Sequence, residues 1–304
     1  MTVFAVLPPF CALLFAPLLP GIITRTRCWL TGRRGPPLLQ NYADIGKLLA
    51  KGAVYSRTTT VVFRLGPLVG LAAVVTAAAI VPLGTAPALL AFPGDLVLLC
   101  GLMALMRFAT VLAALDTGSA FEGMGASREV QFDALAEPAL VLALAVVVRS
   151  TGSLSLSGAF AALTPAGWAH EGAALVLVLG TLFVVYLTEN ARVPVDDPGT
   201  HLELTMIHEV MVLDHGGPDL GLIHYAAALK LWVLGALLVG VALPVQDLVP
   251  WAGLAVALAG MLVLAVLVGV VETVMARLKL VRVPQLLVGA TALAVLAMVL
   301  VLRG

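Results

Sequence analysis

The chain of 304 residues is 61% hydrophobic and 11% charged, with a mean hydropathy of +1.09. Soluble domains are roughly half apolar by this kind of count, so the composition points to a membrane protein. Seventeen basic residues balance seventeen acidic ones, which excludes a basic nucleic-acid binder, and Cys11, Cys28 and Cys100 are too scattered for an iron–sulfur or zinc ligand set.

A spanning helix needs about 20 apolar residues. Eight stretches approach or meet that requirement: 2–23, 61–82, 95–115, 134–150, 171–188, 221–243, 250–272 and 282–302. They predict an all-α, polytopic membrane protein, with residues 1–304 forming a single transmembrane domain. No basic segment precedes the first stretch, so it reads as a retained span and not a cleaved signal peptide.

The loop over 33–55 contains RRGPPLLQNYADIGKLLAKG, opening on Arg33 and Arg34. Leu38, Tyr42, Ile45 and Leu49 fall on one helical face, and Gln40, Asp44, Lys47 and Lys51 on the opposite arc. This predicts an amphipathic helix in the interface plane. It is either a lipid-surface anchor or a lintel over a cavity, with Asp44 and Lys47 facing a docked partner.

Arg107 lies near the middle of the third span, and the loop after it holds Asp116 and Glu122. Asp133 and Glu137, spaced i,i+4, open the fourth span on one face. The stretch 151–170, rich in Ser, Gly and Ala, reads as a plain connector. Glu189 ends the fifth span, Lys230 sits well inside the sixth, and Glu272 ends the seventh. An ionisable group at membrane depth is costly and faces protein or water, so Arg107 and Lys230 are functional candidates.

The loop over 188–220 concentrates Glu189, Asp196, Asp197, Glu203, Glu209, Asp214 and Asp219 against one base, Arg192. Thr200 and Glu203 form a capping box, and Leu202, Met206, Val210 and Leu213 make an apolar stripe that Gly216-Gly217-Pro218 should end. A helix this apolar is packed rather than solvated. Carboxylates in such surroundings hold protons more tightly and titrate together, which suits proton uptake and release, with Arg192 keeping part of the cluster ionised. The alternative is an acidic docking surface for a basic partner. His201, Glu203, His208, Glu209 and His215 do not have HExxH spacing and no external third ligand is evident, so no metal is expected on this chain.

Lys and Arg set the orientation. With the N-terminus outside, the inward loops and their flanks carry Arg25, Arg27, Arg33, Arg34, Lys47, Lys51, Arg57, Arg64, Arg128, Arg192, Arg277, Lys279 and Arg282, and the outward ends only Arg149 and Arg303. Both termini are therefore expected outside.

The run ENARVPVDDPGTHLEL, from Glu189 to Leu204, resembles a loop in the quinone-chamber membrane subunit of respiratory complex I, subunit 1. Glu189, Arg192, Pro194, Asp196, Pro198, Glu203 and Leu204 fill that family's pattern without a gap, and LQNYADIGKL, from Leu39 to Leu48, is similar to its amphipathic helix. The wording THLELTMIHEVMVLD, with GMGASRE at 123–129 and ALAEPAL at 134–140, looks closer to the formate hydrogenlyase subunit 4 and hydrogenase-4 component C branch of membrane-bound [NiFe]-hydrogenases.

The resemblance, from about Arg33 to Gln285, implies a subunit without a redox cofactor of its own. It implies that the [NiFe] centre and iron–sulfur clusters sit in partner large and small subunits, and that antiporter-like membrane subunits flank it. The setting would be a prokaryotic inner membrane. Glu137, Asp133, Glu189, Arg192, Asp196, Asp197, Glu203, Glu209, Lys230, Arg107 and Glu272 would then couple redox chemistry to proton or sodium movement. Asp44, Lys47, Arg33, Arg34 and Asp214 would face the peripheral arm. One departure is His224-Tyr225, where complex I has Glu-Tyr; this breaks a shared carboxylate relay at that point. The competing expectations are a quinone-chamber subunit of a complex I-like dehydrogenase, a free-standing ion or solute transporter, and a passive anchor.

Overall fold

The structure, a computed structural model, describes residues 3–196 and 206–303. Its helices are α1 (Leu7–Phe15), α2 (Leu18–Leu30), α3 (Gln40–Leu49), α4 (Val61–Ile80), α5 (Asp95–Asp116), α6 (Ala120–Thr151), α7 (Leu156–Ala162), α8 (Pro165–Glu189), α9 (Gly217–Ala242), α10 (Pro250–Val274) and α11 (Val283–Arg303). Among the described residues, seven helical segments are long and apolar enough to span a membrane, or eight where the bent α1–α2 pair counts as one span. The fold is therefore the expected all-helical, polytopic one.

The first span departs from expectation, because it bends by 49° between α1 and α2. Pro17 has no N–H to give the Leu13 carbonyl, and Pro20 none to give that of Ala16. Ala16 O accepts from Leu19 N instead, at 3.2 Å. The Tyr225 hydroxyl donates to Leu13 O at 2.8 Å, Tyr42 to Leu14 O at 2.6 Å, and the Asn41 amide to Pro17 O at 3.2 Å. Carbonyls released at the break thus hold α9 and the amphipathic α3, which forms where the sequence places it.

Other boundaries also shift. The fourth span is the end of a single helix of 32 residues, α6, so Glu122 is helical and Asp133 and Glu137 are interior to it. The 151–170 segment is no plain connector: it contains α7 and opens α8, which bends at Glu171. Asp95, fully buried, accepts from Ser155 Oγ (2.7 Å) and Leu156 N (2.8 Å), fixing the start of α7. The expected capping box, Thr200 and Glu203, lies outside the described residues with Leu202. The part that is described, Glu209–Val212, is a short 3-10 turn and not an α-helix. Val210, Met211 and Val212 bury there, while Leu213, which follows the turn, is exposed. Gly216 and Gly217 do not end a helix; Gly216 caps α9, with Pro218 in its first turn, where a missing N–H costs nothing.

α9 is the centre of the bundle and its most buried span, touching α1 to α4, α8 and α10. α4 and α5 approach closely because Gly66 has no side chain; a Cβ there would lie 2.8 Å from Ala113 Cβ and 3.1 Å from the Ala109 carbonyl oxygen. At the end of the bundle that carries α3, Asp116 of α5 accepts from Thr60 N (2.6 Å) and Phe63 N (3.3 Å), capping α4. At the other end Phe4 meets Trp251 edge-on at 5.0 Å, and Trp168 donates to Val241 O at 3.1 Å.

Candidate functional site

A cavity of ≈ 290 Å³ opens between α2, α3, the segment after α8 and α9, lined among others by Pro17, Asp44, Glu189, His208, His224 and Lys230. Helix α3 is a lintel over it in part: Asp44 lines the cavity and accepts from Gln40 Nε2 at 2.7 Å, whereas Lys47 stands exposed, 3.5 Å from Asp44. Burial pushes the Tyr42 hydroxyl above its ordinary range, with a smaller push from Tyr225, so it stays a donor to Leu14.

A buried network runs from the cavity wall into the bundle. Glu189, the last residue of α8, has a side chain only 2% exposed and meets Arg107 of α5 and Lys230 of α9. Its Oε1 accepts from Arg107 Nη1, and its Oε2 lies 3.0 Å from Lys230 Nζ, an ion-pair distance without hydrogen-bond alignment. Arg107 reaches onward to Asp133 (3.3 Å) and Glu137 (3.1 Å), one turn apart on α6. Four helices therefore contribute to one charged cluster. Breaking such a buried pair by removing one partner leaves an uncompensated charge, so the cluster is geometrically demanding.

Other candidates lie apart from it. Arg192 pairs with Glu272 of α10 at 3.3 Å, and Arg27 of α2 approaches the same carboxylate at 3.9 Å. Ala191, between Glu189 and Arg192, takes a left-handed φ of 48°. That turn aims the two charges at different partners. Asp196 pairs with Arg277 at 2.8 Å and accepts from Ile207 N (3.1 Å) and His208 N (3.4 Å). Glu209 lines the cavity. Asp197 and Glu203 lie outside the described residues. Arg33 and Arg34 are exposed, and Asp214 is exposed with its backbone N–H donated to buried Glu122 at 3.1 Å.

Sequence reasoning missed Glu129 as a site residue. It lies 3.8 Å from His208 and, with Asp133 and Glu137, follows an i,i+4,i+8 series on α6. Extending the fourth span back to Ala120 would have exposed that series. It also missed Arg27 and Arg277 as carboxylate partners, for which one sequence carries no signal.

The segment 206–216 is pinned from several sides. Arg128 donates to Met206 O at 2.9 Å. The His215 ring stacks on Phe63, centroids 3.9 Å apart and planes 7° from parallel. Burial drives the His215 imidazole below its ordinary pKa, and the carboxylates of Asp219 and Asp214 pull the other way without overcoming it.

Comparison with known proteins agrees with this architecture. The family model described as NADH dehydrogenase matches residues 2–302. Formate hydrogenlyase subunit 4 of Escherichia coli K12 is 34% identical over 302 residues, covering 95% of each chain. Hydrogenase-4 component C of the same organism is 32% identical over 310 residues, covering 100% of this chain and 97% of the relative. A subunit of the NADH-quinone oxidoreductase of Bordetella petrii is 27% identical over 197 residues, covering 60% of this chain and 55% of its own length. A chain in the structure of the membrane-bound sulfane sulfur reductase, an archaeal respiratory membrane complex, superposes with a TM-score of 0.81 at 21% identity, covering 98% of both chains, which supports the fold. Matched from residue 2 to residue 302, the chain belongs to the NADH dehydrogenase family, on the side of formate hydrogenlyase subunit 4 and hydrogenase-4 component C.

Proposed function

We propose that this chain is the anchoring and energy-coupling membrane subunit of a [NiFe]-hydrogenase complex of the formate hydrogenlyase kind. The [NiFe] centre and iron–sulfur clusters would sit in partner large and small subunits, with antiporter-like subunits beside it in a prokaryotic inner membrane. The clustering of basic residues at the α3 end supports placing that end inside and both termini outside.

One observation carries the coupling role: Glu189 and Lys230 line the cavity, and Arg107 links Glu189 to Asp133 and Glu137. A proton reaching Glu189 from the cavity neutralises it and loosens its hold on both cations. Arg107 then leans on Asp133 and Glu137, so the change propagates into α6. Electron transfer in the peripheral arm would alter the affinity of the cavity groups for that proton.

The test is Glu189→Gln in the intact complex, reconstituted into liposomes. Hydrogen-linked electron transfer should persist while ion movement across the membrane is lost. Unimpaired ion movement would defeat the coupling role and leave an anchor. Copurification without hydrogenase subunits would defeat the assembly.

The cavity favours one second reading, a quinone chamber. Its volume is just below the ≈ 300–1,000 Å³ typical of small-molecule sites. Quinone-dependent electron transfer, blocked by a bulky substitution of Ala228 in the cavity wall, would establish it.

A further inference from the structure

The charged cluster is not closed within this chain. Its ion pairs set two cations, Arg107 and Lys230, against three carboxylates, Glu189, Asp133 and Glu137. Glu189 is 2% exposed at its side chain and Asp133 is 13%, but Glu137 is 41% exposed. Its outlet is a surface of α6 where Val130, Ala134, Pro138 and Val141 are also exposed.

The depth of Glu137 makes this unusual. It pairs with Arg107, which lies nine residues from the α5 end at Asp116 and twelve from the end at Asp95. At about 1.5 Å per residue, Arg107 is roughly 14 Å and 18 Å from the two ends, and Glu137, fourteen residues from the α6 end at Thr151, is about 21 Å in from that end, within a hydrocarbon core of about 30 Å. A carboxylate there does not face lipid; it meets protein or water. Ala134 and Pro138 leave little side-chain bulk on either side, so another helix backbone can approach closely.

We propose that the outer face of α6 around Glu137 seats a transmembrane helix of another membrane subunit, which presents a basic side chain to Glu137 within the hydrocarbon core. That cation pairs with the exposed side of Glu137 and makes Glu137 the exit of the cluster toward the neighbouring subunit. The inference rests on the reading of the chain as one member of a membrane assembly, and not on whether the assembly pumps.

The experiment uses the whole complex in native membranes. The photo-crosslinking residue p-benzoylphenylalanine replaces Ala134 or Val141, and in a control Val263, exposed on α10. The expected result is a protein adduct from both α6 positions, mapped to a membrane helix bearing Lys, Arg or His. Charge reversal at that residue should dissociate the subunit, and Glu137→Lys combined with it should restore association. Adducts with lipid alone, in a complex that still copurifies, would overturn the proposal. So would an adduct to a helix with no basic residue in its central turns. Failure of any subunit to copurify would instead count against the assembly reading, which keeps the two apart.

Discussion

At the residue scale the governing fact is that Glu189 shares its charge with two cations inside a packed bundle. Lys230→Met leaves Glu189 with half its compensation, and breaking a buried pair costs about 3–5 kcal/mol. Denaturant unfolding in mixed micelles should show a loss of that order. The double variant Lys230→Met with Glu189→Gln should recover much of it, because the residual charge is gone; an additive pair would show that the two do not interact. His215 gives a pH dependence. Its folded-state pKa lies below the ordinary value of about 6.5, so from there downward the unfolded chain binds a proton that the folded chain refuses. Stability then rises with pH through that window, is fully present above about 6.5, and falls as the medium is acidified. The hydrogen-exchange protection of the 206–216 amides, relative to their intrinsic rates at each pH, should fall between neutral and mildly acid pH. His215→Phe, which keeps the stack on Phe63, should flatten that response.

At the element scale, α6 and the segment after α8 are fitted to each other through a glycine. A Cβ on Gly125 would overlap Val210 Cγ1 and lie 2.9 Å from the Ile207 carbonyl oxygen. Gly125→Val should therefore lift the Glu209–Val212 turn, at about 1–3 kcal/mol for overpacking. Limited proteolysis should cut 206–216 faster while leaving α9 intact. This fit was not legible in the sequence. Hydropathy locates apolar runs, and in α6 the apolar run begins only where the charged half ends, so Glu122, Arg128 and Glu129 read as loop. The lintel helix was legible, since its two faces differ sharply over ten residues. The helix expected beyond Thr200 rests on its apolar stripe, and the described end of it is a tighter turn held by Asp196, Arg128 and Gly125.

At the scale of the whole molecule, the spans came through, because length and hydropathy are properties of single segments. The pairing of Arg107 with Glu189 did not, since the partners are 82 residues apart and on helices that meet only through the fold. The sidedness has a direct check. In a chain with Cys28→Ser, Arg34→Cys should react with an impermeant maleimide only in inverted vesicles, and Val249→Cys only in intact spheroplasts. Both positions are exposed, Val249 at 70%. The reverse pattern would turn the molecule over and put the cavity roof on the wrong side for a cytoplasmic arm.

The bend in the first helix also limits how this chain can drift. Inside hydrocarbon no water replaces a missing donor, so Leu13's oxygen depends on the phenol of Tyr225 for as long as position 17 is proline. Proline and tyrosine, more than 200 residues apart, form a matched set. Tyr225→Phe alone should be harmful, yet tolerated once Pro17→Ala gives the helix back its own N–H. Homologues that straighten the first span should be free to lose the tyrosine, and those that keep the bend should not.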